Sequence, residues 1–592
     1  MQKDNEKYLE VLGYEPSSYQ KEIFDFVLHG TGNAVIKARA GSGKTATIIS
    51  AMKLVPEAKT CLFLAFNKAI AEEITAKLKG KQNCSVMTVH SLGYRIILKN
   101  RTTKPGVNDK KYSTYLKKNI TELSTAKIST KAEVEEYIDS ILSLLDFSRL
   151  NLAQSKKEID KIAAKYDIPV RYDESEVVMK LMEWGKNSLM EVDYVDMVWL
   201  PTELDMNVKY FRYNWIFNDE AQDYSVAYVK LFMKCFKRGT RFISVCDDFQ
   251  AINFFAGASE MALDSMINHP NTKLFTLPIS YRCDRNIIKA ANNLVPDILA
   301  RPNAGDGIVI ENGHLNEIRG NDMVLCRNNA PLFKLYIKLI DKNIPCYIKG
   351  KDNDKKKLIN TIERFAVGEE LGKDLNVDGL FPRLYDNMVE ERNRLIAGGL
   401  DPIDAIDTET VQSKYDTIVS LDAIAKKCRT KSELISRIDK IYSVTETGVC
   451  LSTVHKAKGL EADNVHIICR SLMPSKSAKT KYEIQQETNL MYVAITRARH
   501  KLFYTSEVEF PVPRAVGNDG DMITEFKYIE TKVCRLYHKQ PVNYMTDGEM
   551  ARFRLSNATV IEPFHKNDNT KTVPTEKPKL KSKKKSLLDN LK

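Results

Sequence analysis

The feature that most constrains the fold is an apolar run, a glycine-rich loop and a helical pattern in direct succession near the N-terminus. Asn33-Ala34-Val35-Ile36 predicts a buried strand, and Ala46 to Met52 predict a helix. Between them lies Ala38-Arg39-Ala40-Gly41-Ser42-Gly43-Lys44-Thr45. Glycines let backbone N–H groups approach phosphate oxygens, and a helix N-terminus favours negative charge. The order of strand, loop and helix therefore predicts a phosphate-binding loop on a parallel α/β sheet.

Apolar strand patterns return in two parts of the chain, separated by charged helical stretches. Residues 1–95 and 201–276 alternate strands with helices around a Lys/Glu-rich helical stretch at 96–200. Residues 277–350 and 446–515 repeat this arrangement around a second helical stretch. That second stretch covers 351–445. We predict an α/β fold of two parallel-sheet domains, each with a mainly helical insertion.

Two carboxylates follow a second apolar strand, Trp215-Ile216-Phe217-Asn218. Asp219 at the end of this strand would hold Mg²⁺ together with the Thr45 hydroxyl, and Glu220 would polarise an attacking water. Lys44 would reach the β- and γ-phosphates of a nucleotide. The loop and the two carboxylates together predict a site that hydrolyses a nucleoside triphosphate.

The residues Ala221-Gln222-Asp223 complete the sequence DEAQD, and further motifs follow in a defined order along the chain. They include Asp247-Asp248-Phe249-Gln250, Ser280-Tyr281-Arg282, Thr453 to Glu461 and Tyr492 to Arg499. In these motifs, between about residue 16 and residue 499, the chain resembles superfamily 1 helicases of the UvrD/Rep/PcrA type. The resemblance implies two RecA-like domains, ATP and Mg²⁺ as nucleotide and metal, and single-stranded DNA and single/double-strand junctions as partners.

The resemblance also implies nucleotide contacts from both halves of the chain. Gln20 would read the adenine edge and Tyr281 would stack on adenine, while Glu461 would contact the ribose. Arg282 would meet the γ-phosphate, and Arg497 would serve as the arginine finger.

The resemblance extends to two further motifs, Ala65-Phe66-Asn67-Lys68-Ala69 and Thr88-Val89-His90-Ser91. These two, with the motifs that begin at Asp247 and Thr453, imply contacts with single-stranded DNA. The residues concerned are Asn67, Lys68, Thr88, His90, Phe255, Thr453 and His455. In this set Phe255 would stack on a base. Gln250 would couple the γ-phosphate to the DNA groove.

The form of the motif Lys458-Gly459-Leu460-Glu461 resembles the 3′–5′ branch of the family more than the 5′–3′ branch. We therefore predict an ATP-dependent DNA helicase that moves 3′ to 5′ and acts as a monomer. A 5′–3′ motor, an RNA-directed motor and a DNA-stimulated ATPase that strips proteins without unwinding remain alternatives. A fused nuclease is not expected, because no segment after residue 506 has the separated acidic residues and the lysine of such a domain.

Composition agrees with a nucleic-acid partner. Lys and Arg number 89 against 77 Asp and Glu, which gives a net charge of +12 and favours an anionic partner. Residues 516–592 form a C-terminal extension, and from Lys571 onwards it holds eight lysines and two acids. This composition predicts a disordered basic tail, either simply solvated, or adding DNA affinity, serving as a nuclear localisation signal or docking a protein partner.

We recognise no targeting signal in the sequence. The N-terminus is polar and no apolar run approaches 18 residues, so we predict neither a signal peptide nor a membrane span, and a cytoplasmic, DNA-associated location. The 11 cysteines include no CxxC pair, so neither a zinc ribbon nor a redox dithiol is expected.

Overall fold

Two six-stranded parallel sheets organise the protein in a computed structural model. The structure describes residues 8, 11–65, 67–128, 131–166, 168–253, 257–350, 352–365, 377–475, 477–479 and 481–505. The strands in these residues, in chain order, are β1 (Asn33–Ala38), β2 (Cys61–Ala65), β3 (Cys84–Thr88), β4 (Gly106–Val107), β5 (Glu191–Val192), β6 (Tyr213–Asn218), β7 (Phe236–Cys246), β8 (Thr272–Leu277), β9 (Ile279–Ser280), β10 (Leu299–Ala300), β11 (Ile308–Gly313), β12 (Met323–Cys326), β13 (Cys346–Ile348), β14 (Val449–Thr453), β15 (Ala462–Ile468) and β16 (Ala498–Thr505).

The first sheet has the strand order β3-β2-β6-β7-β1-β8, with every pair parallel. Strand β2 is apolar and buried throughout, because helices cover both faces of a parallel sheet. These helices are Ser18–His29, Lys44–Leu54, Lys68–Lys77, Val89–Lys99, Val226–Lys234 and Glu260–Ile267. Buried side chains fill a core on each face, and the core on one face continues into the first insertion.

The first insertion is mainly helical, as predicted. Its helices are Lys111–Leu123, Lys131–Leu150, Lys156–Lys165, Glu174–Asn187 and Tyr194–Glu203. The sequence did not predict the short parallel pair of β4 and β5, which joins two ends of the insertion. Two-residue strands carry too few side chains to show an alternating pattern.

The second sheet has the strand order β11-β16-β15-β12-β14-β13 and is also parallel. Helices Arg285–Asn292, Asn329–Asp341 and Lys481–Ile495 accompany it. The second insertion holds helices Asp352–Phe365, Leu380–Ala397, Pro402–Ile406, Glu409–Ala425 and Lys431–Tyr442. The two-sheet α/β fold is confirmed, whereas the domain boundaries drawn from the sequence stay predictions.

Some of the predicted features fall on residues that the structure does not describe. Phe255 and the C-terminal extension 516–592, with its Lys-rich tail, lie outside the described residues. Among the residues that are described, no helix has both the length and the apolar character needed to cross a membrane.

A close helix crossing joins the first insertion to the first sheet domain. Gly93 lies in helix Val89–Lys99, and a Cβ atom on it would come within 1.7 Å of the carbonyl oxygen of Met197 in helix Tyr194–Glu203. The two backbones can approach this closely only because residue 93 has no side chain.

We expect Gly93→Ala to lower the free energy of unfolding by about 1–3 kcal/mol, because overpacking must push the two helices apart. This loss outweighs the gain of about 1 kcal/mol in helix propensity. Denaturant titration followed by circular dichroism measures the change. Gly320→Ala is the matched control, since a Cβ there has nothing within 4 Å. Equal stability of the two variants would contradict the close crossing.

Candidate active site

The phosphate-binding loop lies between the end of β1 and the start of helix Lys44–Leu54, as the sequence predicts. Gly41 and Gly43 have φ angles of +72° and +77°, in the region that favours glycine. A Cβ on Gly41 would lie 2.6 Å from the Cβ of Arg282, so this position has no room for a side chain. The Ser42 hydroxyl is buried and has no hydrogen-bond partner among the described residues. A glycine-rich loop with an unpartnered hydroxyl at the start of a helix fits a phosphate group.

The two predicted carboxylates meet the loop at the carboxyl edge of the first sheet. The Thr45 hydroxyl donates to Asp219 Oδ2 at 2.8 Å, so the two proposed Mg²⁺ ligands lie side by side. Lys44 Nζ lies 3.2 Å from Glu220 Oε1. Glu220 has a φ of 52°, a strained conformation for a non-glycine residue that is typical of functional sites.

Burial and charge act in opposite directions on these groups. Burial lowers the pKa of Lys44, but the charges of Glu220, Asp247 and Asp219 outweigh it and hold the pKa above its usual value. Burial also acts to raise the pKa of Glu220, yet Lys44 and Lys458 bring it below the usual range. The pKa of Asp219 is raised by burial and by the adjacent Glu220 charge. The surroundings therefore favour the ionised form of Glu220 more than that of Asp219, which suits Glu220 to polarise a water.

Tyr281 and Arg282 approach the loop from the start of the second domain. The Tyr281 N–H donates to the Gly41 carbonyl at 2.9 Å, and the Tyr281 ring is 45% exposed beside the loop. Arg282 pairs with Glu461 and donates to the Thr496 carbonyl at 3.2 Å. The structure thus brings these predicted nucleotide-binding residues to the phosphate-binding loop.

Arg497 is buried close to Arg282 and is held by two backbone carbonyls and the Thr496 hydroxyl. Its side chain is 1% exposed and donates to Val493 O at 2.9 Å and to Leu460 O at 3.0 Å. No carboxylate of the described residues forms an ion pair with it. Burial and the nearby Arg282 lower the pKa of Arg497 to about 10. An unpaired guanidinium in such a place is prepared to accept an anionic ligand.

The two predicted glutamines are engaged within the protein. Gln20 lies in the first turn of helix Ser18–His29, where its amide oxygen accepts from Ser17 N and its Nε2 donates to Thr47 at 3.0 Å. Gln250 donates to Asp247 Oδ2 at 2.7 Å. Burial raises the pKa of Asp247 to about 6, an effect that Lys44 opposes.

Lys458 is a site residue to which the sequence analysis gave no role. It extends from the second domain and donates to Asp223 at 2.6 Å and to the Gln250 carbonyl at 2.8 Å. Its Nζ is 3.8 Å from Glu220. Its place within the quoted motif, two residues before Leu460, was the available signal. The pairing with Asp223 could not be predicted, because the two residues are 235 positions apart.

Arg39 differs from its neighbours in the loop. The sequence places it among the phosphate-binding residues, but its side chain lies between the two domains. It forms two hydrogen bonds of 2.7 Å with Asp297 of the second domain and one of 2.6 Å with Asp248 of the first. Tyr492 adds a further link, since the Ala40 N–H donates to its hydroxyl at 2.9 Å.

The predicted DNA-binding residues of the first domain lie at or shortly after the ends of strands β2 and β3. Asn67 and Thr88 are N-cap residues, accepting from Ile70 N at 2.9 Å and Ser91 N at 3.1 Å. Lys68 is exposed next to Asn67. All of these predicted contacts stay predictions, because the cap roles alone account for Asn67 and Thr88.

His90 belongs to an aromatic cluster that the sequence did not indicate. Its Nε2 lies 3.0 Å from the Tyr228 hydroxyl, and its ring meets the exposed Tyr194 edge to face at 6.0 Å. Burial lowers the pKa of His90, which keeps the imidazole neutral. Tyr194 adds an exposed aromatic ring beside the predicted DNA contact.

The second-domain residues Thr453 and His455 lie at and just beyond the end of β14. Thr453 is buried, whereas His455 lines a cavity of about 920 Å³ between the two insertions and the second sheet domain. Burial, with Arg327 and Lys456 nearby, lowers the pKa of His455 well below its usual value. The two residues therefore have different surroundings: His455 faces the cavity and Thr453 lies in the core.

Comparison with known proteins identifies the family. The model of the UvrD/REP helicase N-terminal domain matches residues 19–271, and that of the UvrD-like helicase C-terminal domain matches residues 403–509. Together the two matches cover more than half of the chain. The chain belongs to the UvrD/Rep helicase family.

Relatives within this family come from bacteria and eukaryotes. F-box DNA helicase protein 1 of Schizosaccharomyces pombe is 25% identical over 83% of this chain and 57% of its own length. The ATP-dependent DNA helicase Rep of Buchnera aphidicola subsp. Acyrthosiphon pisum is 23% identical over 80% of this chain and 92% of its own length. The putative ATP-dependent DNA helicase YjcD of Bacillus subtilis is 23% identical over 80% of this chain and 76% of its own length. The chain thus spans little more than half of the first relative.

For this UvrD/Rep family member we expect Glu220→Gln to lower ATP turnover by about 10²–10⁴-fold while ATP binding is kept, because the amide cannot polarise water as a carboxylate does. Phosphate release measures turnover, and a fluorescent ATP analogue measures binding. Lys44→Ala is the comparison variant, which we expect to lose both. Turnover within twofold of wild type for Glu220→Gln would remove Glu220 from the mechanism.

Proposed function

We propose that the protein is an ATP-dependent motor that moves 3′ to 5′ along single-stranded DNA and unwinds duplexes. One observation carries this proposal. The cations that would stabilise a γ-phosphate come from both domains of one chain: Lys44 from the first, and Arg282 and Arg497 from the second. Since one chain supplies both halves of the site, a monomer is sufficient.

Hydrolysis follows from the charges of the site. Lys44 would leave Glu220 for the β- and γ-phosphates, and Glu220 would then hold and polarise the attacking water. Arg282 and Arg497 would neutralise the charge that develops on the γ-phosphate. Thr45 and Asp219 fit the ligand set of Mg²⁺, which when bound would neutralise phosphate charge.

Movement would follow from changes in the contacts between the two domains. Arg39 with Asp297 and Lys458 with Asp223 are cross-domain pairs beside the nucleotide site. A nucleotide that binds Lys44 and Arg497 together favours the closed cleft, and its release favours the open one. If each domain holds the same DNA strand, alternate opening and closing moves the strand stepwise.

The direction of movement rests on the sequence form of Lys458-Gly459-Leu460-Glu461. The relatives are described as DNA helicases, which supports DNA as the substrate. The alternatives are a 5′–3′ motor, an RNA-directed motor and an ATPase that strips proteins, and they differ in their measurable products.

We expect ATP-dependent strand separation from a duplex with a 3′ single-stranded tail and none from the matched duplex with a 5′ tail. Fluorescence from a labelled displaced strand measures unwinding, with Lys44→Ala as the inactive control. Unwinding from the 5′ tail alone would overturn the direction. DNA-stimulated turnover without unwinding would support protein stripping, and greater stimulation by RNA would indicate an RNA motor.

We also expect Arg497→Lys to lower turnover by about 10³-fold, because lysine keeps the charge but not the forked geometry of the finger. The exposed Arg285, which pairs with Asp306 at 3.3 Å, provides the control Arg285→Lys. Steady-state kinetics and a thermal melt separate loss of catalysis from loss of folding. Wild-type turnover in Arg497→Lys would exclude the finger role.

A further inference from the structure

A basic surface with an exposed tyrosine at its centre lies away from the nucleotide site. Tyr210 is 65% exposed, and its ring has Lys209 Nζ at 4.9 Å and Lys99 Nζ at 5.6 Å from the centroid. We call this the Tyr210 surface. Lys99 and Lys209 are the cations at the ring. Arg95 lies one helical turn before Lys99. Arg212, two residues after Tyr210, donates to the Phe236 carbonyl, and Lys237 and Arg238 follow Phe236 in the chain.

The cations of the Tyr210 surface lie without counter-ions among the residues that the structure describes. No carboxylate of the described residues forms an ion pair with any of the six. Asp205, a carboxylate shortly before Lys209 and Tyr210 in the sequence, already forms an ion pair with Lys234. Clustered like charges repel one another, so an unpaired cluster favours an anionic ligand.

Hydrogen bonds hold the parts of the surface in place. The side chain of Asn100 donates to Asn207 O at 2.8 Å, and Asn207 N donates back to Asn100 Oδ1 at 2.8 Å, which ties the end of helix Val89–Lys99 to the turn at Tyr210. Lys237 Nζ donates to Asn214 Oδ1 at 3.1 Å. Thr240 donates to the Tyr213 carbonyl at 2.7 Å. The surface is thus built by helix Val89–Lys99, the 3₁₀ turn Lys209–Phe211 and strand β7 together.

The Tyr210 surface is separate from the site already described. It adjoins the amino ends of β6 and β7, where Arg212 precedes the first residue of β6. Asp219 follows the other end of β6. A strand of this length spans about 20 Å, so a ligand here would not touch the nucleotide site.

We propose that the Tyr210 surface is a second binding site for single-stranded nucleic acid. Cations spaced around an exposed aromatic ring suit a strand whose phosphates contact the lysines and whose base stacks on the ring. A duplex offers no free base face to Tyr210. An acidic protein segment would also contact the lysines, but its carboxylates have no use for the exposed ring, whereas a nucleic-acid strand uses both the lysines and the ring.

The test compares full-length variants that all keep the C-terminal residues. Lys99→Glu with Lys209→Glu removes the lysines, and Tyr210→Ala removes the ring. Lys289→Glu with Lys501→Glu makes the same charge change at exposed lysines of the second domain. Fluorescence anisotropy with a labelled oligo(dT) of about 50 nucleotides measures binding to the whole protein. ATP turnover stimulated by an oligo(dT) of about 12 nucleotides reports only the DNA groove predicted across the two sheet domains.

We expect the Lys99/Lys209 variant to bind the long strand at least about tenfold more weakly, and its salt dependence to fall by about 1.4 in slope, for two lost phosphate contacts. Tyr210→Ala should weaken binding about tenfold. Activation by the short strand should match wild type in both variants. If the short strand activates no variant, wild type included, the motor proposal fails while the binding comparison still stands.

Three results would overturn the second site: unchanged binding of the long strand, an equal loss in the Lys289/Lys501 control, or a loss that appears equally in short-strand activation. Photo-crosslinking with 4-thiothymidine gives an independent readout, and we expect the peptide that contains Tyr210 to be labelled. If a poly-glutamate peptide binds this surface and oligo(dT) does not displace it, the ligand is an acidic protein and the proposal is wrong.

Discussion

The structure depends on a cluster of buried carboxylates where the two sheet domains meet. Asp219, Asp223 and Asp247 are buried and Glu220 beside them is half-buried, and ionised groups in such places must be paired. Lys44 supplies one partner from the loop, and Lys458 supplies another from the opposite domain. The need to neutralise these acids therefore holds the loop, the strand ends and the second domain in one arrangement. A nucleotide would change this balance of charge, which connects hydrolysis to the relative position of the domains.

The same principle distinguishes Arg497 from the other cations. Lys44, Arg282 and Lys458 each have a carboxylate partner in the structure. Arg497, among the described residues, is held by two backbone carbonyls and the Thr496 hydroxyl and has no carboxylate partner. Its lowered pKa reflects the cost of burying a charge without a counter-ion. A γ-phosphate would supply the missing anion. The arrangement makes the nucleotide part of the charge balance of the cleft.

Much of this could be predicted from the sequence. The run from Asn33 to Thr45 and the pair Asp219-Glu220 are local patterns, and the fold of two parallel sheets followed from where such patterns recur. Short elements were missed, such as β4 and β5, because two residues carry no periodicity. Some residues that the sequence groups together have different surroundings in the structure. Arg39, predicted in the phosphate-binding loop, bridges the two domains. Of the two predicted DNA contacts at the end of β14, Thr453 is buried and His455 lines the cavity.

The sequence by itself therefore determined the phosphate-binding loop, the order of the motifs and the α/β class, since each depends on residues close together in the chain. Only the tertiary structure decided which distant charges are paired. Arg39 meets Asp297 across 258 positions, and Lys458 meets Asp223 across 235. Lys99 reaches Tyr210 only because the first insertion returns the chain to the same edge of the sheet. Such pairings depend on the packing of helices and insertions, which leaves no local pattern in the sequence.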